Sequence, residues 1–593
     1  MKRLLTITTI FVLFTAPQFT FGADVDDFFN QYMDEFMRLN PEYATILRYF
    51  SGEEQDRIER QLSPRTLDHQ IQNVALAKKY LKELPKFNRS EMTNVQKIST
   101  EVMEWQMKSI MGQEQFLDYK FPLNQLDGAN VDLVTMMTVG RSIITERDAD
   151  NYVAALAQVA ARMDEAIFEA RRIAEKDIIP PKFILKETIE QMKSFIKPAY
   201  MENPFVATLV QKMSEMEAVP GAKRKKLLSE AEKIVSGDIY PAWKRGIAML
   251  ESQVPDATDD AGLWRLKGGD KAYQYYLRSN TTTDLTPDQI HEIGLKKVKE
   301  IETRMDGLFR RIGYTEGSIN ERVEQLRKNL EYPNPTSAES RERIIRDLEE
   351  YVRDAEKRAE ALFDKKPKSK VIVQPTPTFQ EQNDSARCWP PAMDGSRPSI
   401  FLFPRRLSYM NSFGMRTLVY HETVPGHHYQ VSLQMENREL PRYRRLFSPI
   451  NAYVEGWALY AEKLAAESGW YEDDIEGLLG QLNDELFRAR RLVVDTGLHA
   501  KHWTRQQAID YGIEESEVDR YIVDPGQACS YMIGQLKLLE LRNRANKTLG
   551  DRFSIRDFHN LVLETGAVPL NVLEKLVDDY ISSNEALDSS KGE

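Results

Sequence analysis

The chain has 593 residues, 41% hydrophobic and 29% charged, a balance that excludes a disordered or low-complexity protein and supplies enough apolar side chains for a large folded core. Its formal net charge of -11, with no basic stripe interleaved with aromatics, argues against a nucleic-acid partner. The two cysteines, Cys388 and Cys529, are too few for a disulfide framework or a cysteine metal site, and they either pair or remain free thiols.

The chain begins Met1-Lys2-Arg3, runs through apolar residues from Leu4 to about Ala16 and reaches small residues at Gly22-Ala23. This pattern predicts a secretory leader over residues 1–23, cut near Gly22-Ala23. No cysteine follows the apolar run, so no lipid anchor is expected there. No later run is long enough to span a membrane, and the expected location is periplasmic or secreted.

Residues 24–260 read as an N-terminal helical lobe. Apolar residues recur at three- and four-residue spacing, as in Tyr152, Ala155, Leu156, Val159, Ala160, Met163 and Ile167. A loop-like composition at 254–262 separates them from a second helical lobe, residues 261–593, expected to be catalytic. There, Thr286-Pro287-Asp288-Gln289 offers an N-cap, a proline at the first helical position and a glutamine at the third, which predicts a helix start. Val371-Ile372-Val373 and Ile400-Phe401-Leu402-Phe403 predict a small strand pair within about 370–404. It is either a structural hairpin or an edge for an extended peptide. Further on, Arg442-Tyr443-Arg444-Arg445 reads as a solvated basic face.

The densest chemistry follows at Tyr420-His421-Glu422-Thr423-Val424-Pro425-Gly426-His427-His428-Tyr429-Gln430. It nearly matches His-Glu-x-x-His, whose two imidazoles four apart on a helix hold zinc while the glutamate meets water, but Pro425 stands where the second histidine belongs. Proline predicts a kink, bulge or stop near 425, with Gly426 relaxing the backbone. If Pro425-Gly426 is extruded, His427 becomes the second ligand. His428 would share the His421 face on an unbroken helix but lie about 10 Å along the axis.

A third ligand is expected from a downstream helix, Asn451 to Glu462, where Glu455 and Glu462 lie two turns apart on one face. Glu455, among Tyr453, Val454, Trp457 and Ala458, is the chosen ligand, because an unpaired carboxylate there is costly. Glu462 reads as a helix-surface acid. Beyond it, His499 either lines the site or is a structural histidine bonded to Asp495. A helix is expected to start after Pro525-Gly526, with Gln527 and Tyr531 at its beginning, where they can point into a cleft.

His421-Glu422-x-x-Pro425-Gly426-His427-His428-x-Gln430, Glu455-Gly456-Trp457-Ala458, Arg491-Leu492-x-x-Asp495-x-Gly497-x-His499 and Pro525-Gly526-Gln527-Ala528-x-Ser530-Tyr531 together resemble the bacterial family domain of unknown function 885. The likeness runs from Pro41-Glu42-Tyr43-Ala44-Thr45 to the C-terminal helices. That family is similar to the helical gluzincin peptidases, which include angiotensin-converting enzyme, neurolysin and thermostable carboxypeptidases. The resemblance implies a mainly α, two-lobed shell around a deep cleft, with zinc at its floor and a small β-sheet along one wall. It also implies a helix tyrosine near the site, either Tyr531 or Tyr521.

The resulting expectation is a zinc metallopeptidase for short peptides, acting as a carboxypeptidase or dipeptidyl carboxypeptidase. His421, His427 and Glu455 hold Zn²⁺, with His428 as the alternative second ligand, and Glu422 is the general base. Tyr531, Tyr521 or His499 stabilises the oxyanion, while Arg416, Arg491, Arg520 and Gln527 grip the substrate. The rival readings are a zinc hydrolase of another amide or ester, and a non-catalytic periplasmic binding protein with a vestigial metal site.

Overall fold

The computed structural model describes residues 24–589, apart from 217–219, 377–380, 382–384, 394, 396 and 447–449. The leader expected over 1–23 lies outside these residues. The described chain is predominantly helical with one small sheet. The elements that matter below are α1 (Val25–Leu39), α2 (Asn94–Gln113), α3 (Gly269–Thr281), α4 (Pro287–Arg311), β1 (Val371–Pro375), β2 (Arg387–Trp389), β3 (Ser399–Phe403), α5 (Met415–Glu422), α6 (His427–Glu436), α7 (Asn451–Glu467), α8 (Ile475–Ala500), α9 (Glu515–Val523), α10 (Ser530–Leu549) and α11 (Ile555–Thr565).

Local rules account for the helices. In α1 the residues Val25, Phe28, Phe29, Tyr32, Met33, Phe36 and Met37 recur at helical spacing, and all are buried. In α4 the expected start is realised as a full capping box. Thr286 Oγ1 accepts from the Gln289 backbone N–H, and the Gln289 side chain accepts from the Thr286 N–H. Ile290, Val298, Ile301, Met305 and Leu308 then form its buried stripe.

Among the described residues one core draws only on positions between Leu62 and Ala257. Two others cross the 254–262 loop. Phe29, Tyr32 and Met103 pack in the same core as Tyr453, Trp457 and Leu541, and Phe116 and Ile184 join Leu492 and Tyr531. The break in composition at that loop is therefore not a break in packing.

The strand pair is present but is not a hairpin. β1 and β3 run parallel, with Val373 opposite Phe401, and β2 is antiparallel to β3, with Cys388 opposite Phe401, giving the order β1-β3-β2. β2 escaped the sequence reading because Arg387-Cys388-Trp389 is only three residues long and lies in a proline- and glycine-rich stretch. The basic run is also corrected. Arg444 is fully buried, with Nη2 donating to the carbonyls of Thr565 and Ala567, so its charge caps the C-terminal end of α11. Cys388 and Cys529 are free thiols. Among the described residues no helix is long and apolar enough to cross a membrane.

Candidate metal centre

The helix carrying His421 stops at Glu422 and a new one begins at His427, so the proline interruption separates two helices rather than bulging one. The link passes through a cis Val424–Pro425 peptide bond and is pinned by Trp457, whose Nε1 donates to the Pro425 carbonyl at 2.8 Å. Gly426 lies so near the end of α5 that a Cβ there would collide with the carbonyl oxygens of His421 and Tyr420. Only glycine fits.

This turn sets His421, at the end of α5, against His427, at the start of α6, with ring centroids 4.7 Å apart and planes at 87°. Glu455 of α7 closes the group. Its Oε2 lies 3.3 Å from His427 Nε2 and 3.7 Å from His421 Nε2, and all three ligand atoms fall within 4.8 Å of one another. α7 is held close to α10 by glycines on both sides. A Cβ at Gly456 would stand 2.5 Å from Gly534 Cα, and one at Gly534 would meet the Ala452 carbonyl.

Glu462 is not the surface acid expected. It is entirely buried, and its Oε1 accepts from His421 Nδ1–H at 2.7 Å. That bond makes Nδ1 the donor to Glu462 and turns Nε2 toward Glu455. The available signal was its seven-residue separation from Glu455 on one helix face. Burial pushes the His421 pKa down, but the nearby Glu455 and Glu462 carboxylates outweigh it and carry the ring up to about 10.

Glu455 is held well below the usual carboxylate range. Burial opposes its charge, and the His427 and His421 imidazoles overcome that opposition. Burial raises the Glu422 carboxyl above its ordinary range, more than the same imidazoles draw it down. The Cys388 backbone N–H, from β2, donates to Glu422, which sets the edge of the sheet beside the centre.

Two imidazole nitrogens and a carboxylate oxygen facing one another repel unless a proton or a cation lies among them. Glu455 Oε2 is buried without a hydrogen-bond partner, and the donor set is that of a three-ligand zinc site. The residues fit a divalent transition metal. His428 stands outside: its Nδ1 meets Ser399 Oγ at 2.8 Å and Ser432 Oγ at 3.1 Å, and burial lowers its pKa to about 4.

The other expected residues divide in two. Tyr531 lies nearly parallel to the His421 ring at 6.5 Å, with the Arg491 guanidinium 4.5 Å from the centre of its own ring. Arg491 and Arg520 both reach the Tyr531 side chain, and Gln527 accepts from Arg520 at 2.9 Å. Glu517 pairs with Arg491 at 2.8 Å and with Arg520 at 3.5 Å.

Tyr521, His499 and Arg416 are committed elsewhere. The Tyr521 hydroxyl accepts from Arg491 Nε at 3.0 Å, behind the guanidinium. His499 accepts from the Leu263 N–H and donates to the Tyr521 carbonyl, so both of its nitrogens serve backbone groups, and Asp495 instead accepts from the Tyr273 hydroxyl and the Gly526 N–H. Arg416 pairs with Asp474 at 2.9 Å and Asp354 at 3.4 Å beside a 220 Å³ pocket lined by Ser412, Gly414 and Thr417.

The family model described as bacterial protein of unknown function (DUF885) matches residues 41–577. The chain belongs to this family. A crystal structure of a candidate lipoprotein from Colwellia psychrerythraea is similar over 94% of this chain and 99% of its own, with 31% identity and a TM-score of 0.89. A candidate lipoprotein of unknown function from Shewanella oneidensis shares the fold at 16% identity and a TM-score of 0.68, covering 93% of this chain and 99% of that one. No curated protein matches the chain.

Proposed function

We propose that this protein is a zinc-dependent hydrolase of the cell envelope or its surroundings that shortens small peptides from the carboxyl end, within a two-lobed helical shell of the gluzincin kind. The observation that carries the reading is the convergence of His421, His427 and Glu455 around an unpartnered carboxylate oxygen, with Glu422 beside them. The descriptions of the two similar structures as candidate lipoproteins support the envelope location.

A zinc ion held by these three residues would supply Lewis acidity to a substrate carbonyl and acidity to a water. The remaining work belongs to the side chains. Glu422, raised by burial, accepts the proton of the attacking water at its carboxylate and returns it to the leaving amine. Glu462 keeps the His421 proton on Nδ1. The Tyr531 hydroxyl donates to the developing oxyanion. Arg520 and Arg491, gathered at Tyr531, give the peptide carboxylate a cationic partner, and the β2 edge next to Glu422 receives extended backbone.

The test is metal analysis of the purified mature protein together with mass spectrometry of a digested peptide mixture and a parallel ester panel. The expected result is one zinc per chain and products shortened at the carboxyl end. Absence of metal uptake would refute the reading. Hydrolysis confined to esters would replace the substrate class.

A further inference from the structure

Glu462 presents one oxygen to His421, while its other oxygen, Oε2, is buried and without a hydrogen-bond partner. A carboxylate bonded through Oε1 to His421 alone can turn about that contact, and the His421 ring would turn with it. The cation drawn to that same oxygen is Arg488 of α8. Its Nη2 is 3.8 Å from Glu462 Oε1, its Nη1 is 3.5 Å from Asp484 Oδ1, and only 11% of the side chain is exposed. Burial opposes the charge on Arg488, and Glu462 and then Asp484 outweigh it and raise its pKa. Its neighbour Lys463 is engaged with Glu485 at 3.0 Å and leaves Glu462 to the arginine.

We propose that Arg488 is a positioning residue for the metal centre, holding Glu462 between α7 and α8 so that His421 keeps Nε2 directed at Glu455 and His427. The inference rests on the reading of those three residues as a metal site. Arg488 pairs with Glu462 and Asp484 rather than with His421, His427 or Glu455, and acts through Glu462. A planar fork suits the task because it spans Glu462 and Asp484 together, which a single ammonium does less well.

The experiment is a zinc titration of the full chain against a chromogenic chelator for wild type, Arg488→Met, Arg488→Lys, Glu462→Gln and the Arg488→Met/Glu462→Gln pair. Circular dichroism verifies the fold, and the visible spectrum of the cobalt form reports the ligand geometry. Arg488→Met is expected to weaken zinc binding about 10- to 100-fold, the range for lost partners of metal-binding histidines. Arg488→Lys should fall between Arg488→Met and wild type, and the cobalt spectrum of Arg488→Met should move toward that of Glu462→Gln. Adding Arg488→Met to Glu462→Gln should cost nothing further.

Wild-type affinity in Arg488→Met, or the same loss on both backgrounds, would overturn the proposal while leaving the metal site standing. A wild-type protein that takes up no zinc would instead sink the metal site, and this inference with it.

Discussion

Gly456→Ala tests whether the close crossing of α7 and α10 sets the position of Glu455. The added methyl carbon would stand 2.5 Å from Gly534 Cα, 2.6 Å from Gly534 carbonyl carbon and 3.0 Å from Gln535 N, all backbone atoms that cannot rotate away. Carbon contacts settle at about 3.5 Å or more, so the two helices must part by about 1 Å. Overpacking of this kind costs about 1–3 kcal/mol. The same displacement carries Glu455, the adjacent residue, away from two histidines on other helices, whereas ligand distances at metal sites hold to within about 0.2 Å. The expected outcome is a lower urea midpoint and zinc affinity reduced by about tenfold or more, since 1 Å of misplacement can cost about 100-fold in a positioned site. Gly307→Ala in α4 is the control. Its methyl group meets nothing within 4 Å, so it should leave zinc affinity unchanged and stability equal or slightly improved. Wild-type midpoint and zinc affinity in Gly456→Ala would refute the argument that this crossing fixes the ligand.

Glu455→Gln should abolish stoichiometric zinc on elemental analysis without unfolding the chain, because in the proposed site the carboxylate is the one anionic group among the three candidate ligands. Glu422→Gln should retain zinc while the rate of peptide cleavage falls about 10²- to 10⁴-fold, the usual worth of a general base. Tyr531→Phe should lower the rate by about 10²- to 10³-fold with zinc affinity unchanged, as expected for loss of an oxyanion donor read by steady-state kinetics.

His559 gives a pH test at a residue that is not among the proposed metal ligands. It is fully buried between the Tyr460 hydroxyl and the Leu362 carbonyl, and burial lowers its pKa to about 4. The native state excludes a proton that the unfolded chain takes up below about pH 6.5, so this contribution is intact above 6.5 and drains away as pH falls toward 4. Relative to wild type, the stability deficit of His559→Gln should therefore shrink by up to about 3 kcal/mol between pH 6.5 and 4 in urea titrations. A pH-independent difference would contradict the buried neutral imidazole.

What could be read from the sequence was local. The capping box at Thr286 and Gln289 needs only its own four residues, and the apolar stripes of α1 and α4 follow from spacing alone. Likewise, the order of ligand-type residues around Pro425 pointed to His427, and the structure sets that ring beside His421 and Glu455. What failed depended on partners far away in the chain. Glu462 looked like a surface acid because the only local sign that its face of α7 meets α5 was its seven-residue spacing from Glu455. For His499 the sequence left open a site role or a structural role bonded to Asp495, and neither reading showed its actual partners, backbone groups at Leu263 and Tyr521. Arg444 looked solvated because the helix end it caps lies more than a hundred residues downstream. The direction of β1 against β3 was equally hidden, since two short apolar runs do not say whether the chain returns or crosses over.

The broken helix has a consequence for any attempt to regularise it. Deleting two residues from 423–426 would restore a four-residue stride between the histidines, but it would also turn α6 by about 200°. Gln434, which binds the Arg444 carbonyl and the Ala567 N–H from that helix, would then face the opposite side. The interrupted motif is thus anchored at its far end, and shortening the loop would trade one aligned imidazole for a helix facing the wrong way.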